Sequence, residues 1–250
     1  MQIKIELKGI DKVLKGLDDI AKRQVPKAMA LALNRTAQKV KDGEVEEMKR
    51  VFDKPTPYTL SSIYIKKATR DNMVAEIGVK EDAGKGTPAA NFLRPEIEGG
   101  ARRVKRSERA LQLSRLLPQG MSIVPSKALR LNQYGNITGS RMVQILSALK
   151  TAETMSGYTA NITARSKKLN KKPREYFVAL PGTKKGSHLK PGVYERHGKN
   201  NWRIRPVLMF VKSPTYRPRY RFHHVGKQIA GQVWVSEFKK ALNDAISWAK

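Results

Sequence analysis

The apolar residues of this chain change their spacing twice, and the order of those changes limits the folds open to it. Residues 2–7 alternate, with Ile3, Ile5 and Leu7 on one face, which predicts a short strand. Helical spacing follows. Asp11 is placed to cap a helix striped by Val13, Leu14, Leu17 and Ile20, and Pro26 suits the first turn of a second helix. Met29, Ala30, Leu33, Ala37, Val40 and Val51 mark the inner face of that second helix, which is expected to run to about Phe52. KPTPYTLSS then predicts a turn and a short helix. Alternation returns in a hairpin: Ile63 and Ile65, a turn at Arg70–Asn72, then Met73, Ala75, Ile77 and Val79.

Residues 80–106 read as loop. SERALQLSRLL predicts a short helix capped by Ser107, and TGSRMVQILSALKTA a second one, capped by Thr138 with Met142, Ile145, Leu146 and Leu149 on its apolar face. Residues 161–174, NITARSKKLNKKPR, are polar and basic and read as a loop. Strands are expected at 175–180, 192–198 and 205–211. Residues 225–249 read as an amphipathic helix with Val225, Ile229, Val233, Leu242 and Ile246, joined by Trp234, Phe238 and Trp248. Strands and helices do not alternate regularly, so a doubly wound sheet is disfavoured. The expected class is α+β: N-terminal helices and a C-terminal amphipathic helix packed on a mainly antiparallel sheet. A single domain, 1–250, is expected, with 80–174 as a basic loop and helix insertion.

Charge bounds the partners. Fifty Lys and Arg against twenty-one Asp and Glu leave a formal charge of +29. Such a surplus repels itself unless an anionic partner offsets it. Phosphate backbones, anionic membrane surfaces and acidic proteins are the candidate classes. The chain has no cysteine, which excludes disulfides, thiolate catalysis and Cys-based zinc sites, and fits synthesis in a reducing cytosol. The N-terminus lacks the apolar core of a signal peptide, and no uncharged apolar run approaches the roughly 20 residues of a membrane span. A protein soluble and cytosolic when made is the expectation.

No catalytic constellation emerges. The four histidines, His188, His197, His223 and His224, match no metalloprotease or zinc-finger spacing, so neither a catalytic site, a metal nor a cofactor is expected. GKGTPAAN (84–91) superficially resembles a phosphate-binding loop but lacks the GKS or GKT ending, and reads as a turn with no apolar strand before it and no helix after it. Arg102, Arg103, Lys105 and Arg106 form a basic patch behind the glycines of EGG, and Lys167, Lys168, Lys171 and Lys172 form another. Both are candidates for contact with DNA or an acidic partner, the competing reading being a solvated loop.

In TYRPRYRF (215–222) arginines alternate with aromatics. One reading is a stacking platform for single-stranded nucleic acid. The favoured one is a structural edge: Tyr216, Tyr220 and Phe222 pack on one side, Arg217, Arg219 and Arg221 face out, and Pro214 and Pro218 keep the segment off a central strand. Such an edge suits pairing with a correct neighbour. Tyr216, Arg217, Arg219, Tyr220 and Arg221, together with Met29, Leu33 and Val40, are therefore the candidate subunit interface.

Several segments resemble one family. VPKAMALALNRTAQKV (25–40) resembles the opening helix of phage minor tail protein Z, the lambda-type tail-completion family. PGVYERHG and RPVLMFVKSPTYRPRYRF, followed by an amphipathic helix, resemble prophage neck or tail components. FLRPEIEGGARRVKRSERAL and YGNITGSRMVQILSAL are similar to a segment of larger phage proteins of this type. The resemblance implies a non-enzymatic virion structural protein near the head–tail junction, assembled in host cytoplasm into a homo-oligomeric ring of six or twelve subunits around the DNA channel. It implies portal, adaptor, or tail-tube and terminator proteins as partners, non-specific contact with packaged DNA, and no membrane. Tail completion and an adaptor between portal and short tail both stay open. The alternative from composition is a nucleic-acid-binding protein whose basic loops grip phosphates; a metal-dependent nuclease acting through His197 or His223 is the third class.

Overall fold

The computed structural model describes residues 1–6, 19–84, 86–151, 175–182, 188–197 and 203–247. The helix expected behind Asp11 and the loop expected at 161–174 lie outside the described residues, apart from the last residues of the former. The chain divides into two compact units: residues 1–102 with 216–250, and residues 103–215. Helices and antiparallel sheets make it α+β, as the order of periodicities predicts.

In the first unit, strand β1 (Gln2–Glu6) and strand β2 (Ile63–Lys66) both pair antiparallel with β3 (Val74–Val79), giving the order β1-β3-β2. The register sets Ile3 opposite Ile77 and Ile63 opposite Val79. The apolar positions therefore share one face, because strand side chains alternate. Against that face packs α1 (Asp19–Val51), 33 residues long. Leu33, Ala37, Val40 and Met48 of α1 are buried with Ile3, Ile77 and Leu93. Fully burying each large side chain contributes about 1.5–3 kcal/mol.

Pro26 is not at the start of this helix but inside it, since α1 already runs from Asp19. A proline there supplies no N–H, so one turn lacks its bond to the preceding turn. Helical spacing continues on both sides of Pro26, and packing outweighs its local preference.

The partner of α1 is α6 (Phe222–Ser247), 26 residues running antiparallel to it. Small residues let the two approach closely. Ala28 and Ala32 meet Ala241 and Ala245, flanked by Trp234 and Phe238, whose rings stack at 5.7 Å. Toward the other end, Gly43 faces Ile229 so closely that a Cβ there would lie 2.2 Å from its Cδ1. Arg35–Asp244 at 2.8 Å and Lys39–Glu237 at 2.7 Å join the rims.

Two shorter helices complete this unit. Thr56 caps α2 (Pro57–Leu60), as the KPTPYTLSS pattern predicts. The segment read as loop holds α3 (Ala89–Glu98), whose Ala89, Ala90, Leu93 and Glu96 are buried. Its internal Pro95 and flanking glycines hid the helical spacing. Gly99 and Gly100, with φ of +82° and +93°, then end it in a conformation that side chains with a Cβ avoid. Asn34 of α1 clamps the loop after β2: its amide donates to the Ala68 carbonyl (3.0 Å) and accepts from the Ala68 N–H (2.8 Å).

The second unit is built on a four-stranded antiparallel sheet. Its strands are β4 (Met121–Pro125), β5 (Glu175–Ala179), β6 (Gly192–His197) and β7 (Arg203–Lys212), in the order β4-β7-β6-β5. The last three were expected; β4, short and ending in proline, was not. Between β6 and β7 the pairing runs Val193 with Leu208 and then Tyr194 with Pro206, so one extra residue bulges. The bulge falls beside Pro206, which has no N–H to give the ladder. It also lets the consecutive Val207 and Leu208 both be buried.

Helix α4 (Arg106–Leu113) is capped by Lys105 rather than Ser107. Glu108 decides this: its carboxylate accepts from the Lys105 N–H (2.8 Å) and the Ile123 N–H (3.0 Å), tying the helix start to β4. Helix α5 (Gly139–Ala148) begins at its Thr138 cap, as predicted. Ile145 of α5 and Leu111 of α4 are buried with Ile123, Val193, Leu208 and Phe210.

Candidate functional site

The arginine–aromatic segment is anchored within the first unit. Arg219 forms a bidentate pair with Glu96 at the end of α3, Nη2 to Oε1 at 3.1 Å and Nε to Oε2. The Glu96 carbonyl also accepts the amide N–H groups of Arg219 and Tyr220, each at 2.9 Å. The guanidinium lies 5.3 Å from the centre of the Phe52 ring. Phe52, Tyr220 and Phe222 continue edge to face at 5.7 and 5.8 Å. The pairing with Glu96 raises the Arg219 pKa further, so its charge is fixed.

The alternation expected here is therefore present, with a different purpose for part of it. Tyr220 and Phe222 have no exposed surface and Tyr216, in the two-residue strand Thr215–Tyr216, is half-buried. Arg217, Arg219 and Arg221 are all exposed. Arg219 is held by Glu96, and Arg221 is near enough to Glu47 to help lower that carboxyl's pKa. Tyr220 belongs to the chain's own core and so leaves the interface set. Leu33 and Val40, with zero exposure, leave it for the same reason, lying in the core shared with the sheet and α6, and Met29, at 8%, is buried as well.

Beneath Tyr220 lies a buried acid that the sequence reading missed. Glu44 of α1 is fully buried, at the point where Gly226 of α6 crosses it. Neither of its oxygens completes a well-formed hydrogen bond. Burial pushes its pKa up to about 8, although the Tyr220 hydroxyl and the Gly226 amide nearby pull the other way. At neutral pH Glu44 is therefore mostly protonated. The same burial, with the acid beside it, pushes the Tyr220 hydroxyl well above the ordinary phenol range. Glu47, one turn on, behaves oppositely: the Arg50 guanidinium, at 2.6 and 2.7 Å, holds it below the usual carboxylate range. Spacing carried the signal for Glu44, which falls between Val40 and Met48 on the apolar stripe.

In the second unit three arginines converge. Glu195 of β6, 1% exposed, accepts at one oxygen from Arg141 Nη2 (3.0 Å) and from Arg205 Nε (3.0 Å) and Nη2 (2.9 Å). Arg141 also lies 5.4 Å from the Tyr176 ring centre. Arg141 and Arg205 line an open cavity of about 590 Å³ with Arg130, Asn132, Gln133 and Gln144. None of these was among the sequence candidates. Glu195 could have been: it shares a face with buried Val193, and a carboxylate on a core face calls for cationic partners.

The basic patches fare unequally. Arg103, Lys105 and Arg106 are exposed and Arg102 is half-buried. Lys167, Lys168, Lys171 and Lys172 lie outside the described residues. GKGTPAAN differs from its reading as an isolated turn, because β3 precedes it and α3 begins at its Ala89. The Ala90 N–H is nevertheless already donated to the Lys80 carbonyl at 3.1 Å. Among the described residues no group of three His, Asp or Glu could hold a metal, and no helix is long and apolar enough to cross a membrane.

Residues 7–130 match the family of prophage minor tail protein Z, the family that the sequence resembles. That family is one of structural components of the phage tail. The match takes in the N-terminal patch and the FLRPEIEGG segment; it ends before the resembling patches at 134–149 and 191–222. No curated protein and no solved structure matches the chain.

Proposed function

We propose, since residues 7–130 belong to the family of prophage minor tail protein Z, that this protein is a non-enzymatic part of the neck or upper tail, acting in tail completion or as a head–tail adaptor. In this reading it assembles as a ring of six or twelve subunits around the DNA channel. Portal, adaptor, or tail-tube and terminator proteins are its neighbours, and host cytoplasm is where it is assembled. The family match carries the proposal. The charge of +29 supports a place beside packaged DNA and acidic neighbours. Exposed Arg217 and the exposed arm of the Arg219–Glu96 pair supply a rigid basic edge for subunit contact. Mass spectrometry of purified virions, with native mass of the isolated protein and its neighbours, tests this. Absence from virions, or a monomer that joins none of these neighbours, defeats it.

A second reading rests on the charge alone: a nucleic-acid-binding protein that grips phosphates through basic loops. It requires DNA affinity to fall linearly with salt on logarithmic axes, with a slope set by the phosphates neutralised. Charge reversal at Arg103, Lys105 and Arg106 would then flatten the slope. Loss of virion assembly with an unchanged slope favours the first reading.

A further inference from the structure

The arginine cavity of the second unit carries more positive charge than its own acid offsets. Arg130, Arg141 and Arg205 line it, and Glu195 is the one carboxylate hydrogen-bonded to any of them among the described residues. Arg130 itself is exposed and makes no ion pair among the described residues. Glu195 holds the guanidinium groups of Arg141 and Arg205 in place through three hydrogen bonds, which lowers the entropy lost when a ligand meets them. The cavity, about 590 Å³, falls within the roughly 300–1,000 Å³ of ligand pockets. Its uncharged lining, Asn132, Gln133 and Gln144, offers amide N–H donors, while the Asn132 and Gln144 oxygens already accept from Tyr134, Asn136 and Arg141.

We propose that this cavity is a docking site for an acidic peptide segment of a neighbouring protein, with a carboxylate of that segment seated between Arg130, Arg141 and Arg205. The Arg130 guanidinium can match a planar carboxylate in two parallel hydrogen bonds, and Arg141 and Arg205, whose N–H groups already bond Glu195 and Gln144, add positive charge to the same concavity. Duplex DNA presents its phosphates along a convex rod, about one charge per 1.7 Å of axis, and is best met by cations spread along a surface. The side-chain amide N–H groups can donate to peptide carbonyls. Naming a neighbouring protein as the source rests on the assembly role proposed above; the carboxylate chemistry does not.

Fluorescence anisotropy of the full-length protein with a labelled octaglutamate peptide, and separately with a labelled short DNA duplex, tests this at one fixed ionic strength. Arg130→Ala should weaken peptide binding about tenfold, the loss of one charge-assisted contact. Duplex binding should change less than about twofold, as expected of one charge among many. Lys227→Ala, the same charge removed from an exposed position of α6, should leave peptide binding nearly unchanged. Arg130→Lys keeps the charge without the fork and should recover only part of the peptide affinity. Unchanged peptide binding in Arg130→Ala, or an equal loss from Lys227→Ala, overturns the proposal. A larger loss for duplex than for peptide overturns it in favour of a phosphate site. The assembly reading stands or falls separately, on whether the unmodified protein enters virions.

Discussion

Glu96 holds Arg219 twice, taking its guanidinium through two carboxylate oxygens and its backbone N–H through a carbonyl. Side chain and backbone thus fix one residue to the end of α3, and Tyr220 is delivered to the core as a result.

Arg219→Ala removes the fork and its stacking on Phe52 while the backbone contacts remain. The pair is partly exposed, Arg219 at 54% and Glu96 at 11%, so a loss of roughly 1–2 kcal/mol is expected. A double-mutant cycle with Glu96→Gln, read by chemical denaturation, should show coupling between the two. Additive losses would mean that the fork contributes nothing beyond the backbone contacts.

Glu44 makes stability fall as pH rises. Its folded pKa, about 8, lies above the ordinary glutamate value of 4.5, so the folded state binds the proton more tightly. The contribution is complete below about pH 4.5 and is lost progressively until about pH 8. Glu47 and Glu237 have lowered pKa values and act in the opposite sense, losing stability as pH falls through their folded values. Glu44→Gln needs no proton, so it should raise stability at pH 8 relative to the parent by on the order of 1–3 kcal/mol and flatten the slope between pH 5 and 8. A melting-temperature series across that range reads both effects, and an unaltered slope would contradict a buried, protonated Glu44.

Gly192 sits where a Cβ would come 2.4 Å from the Leu208 carbonyl oxygen and 3.3 Å from the Met209 Cα. Both obstacles are backbone, so the strands themselves must separate. Gly192→Ala should cost about 1–3 kcal/mol. The control is Gly231→Ala, where a Cβ meets nothing within 4 Å, and where helix propensity predicts a gain of up to about 1 kcal/mol.

Glu195→Gln leaves Arg141 and Arg205 facing a neutral amide. Removing one partner of a buried ionic cluster costs about 3–5 kcal/mol, with the lower end expected because Arg205 is 38% exposed. Thermal denaturation checks this. Circular dichroism should still show the sheet, since Glu195 forms none of its apolar contacts.

Much of this architecture was legible because periodicity and burial share a cause. Ile3, Ile63, Ile77 and Val79 alternate since one sheet face is covered, and Leu33, Ala37 and Val40 recur since one helix face is. Where local cues competed with packing, they misled. Pro26 looked like a helix start and Ser107 like a cap, but α1 extends earlier and Glu108 secures Lys105 instead. Sequence also cannot tell a face covered by another protein from one covered by its own chain. Leu33 and Val40 meet both descriptions until the β1-β3-β2 sheet and α6 are seen to enclose them in one core. The arginine cavity was hidden for a related reason: its residues are scattered along the sequence, Glu195 and Arg205 become neighbours only when β6 pairs with β7, and Arg141 reaches them only from α5.

The pairing of α1 with α6 sets an order on folding. Every residue of 103–215 leaves the ribosome before α6 does, so the second unit can close its sheet while α1 still lacks its helical partner. Through that interval the nascent chain displays Ala28, Ala32 and the glycine notch at Gly43 uncovered. Closure then waits on a contact between distant segments, the slowest kind to form. A cell making this protein rapidly has a sticky half-built intermediate to shelter, and slowed synthesis or a helix-binding chaperone should raise its soluble yield more than any stabilising change within the second unit.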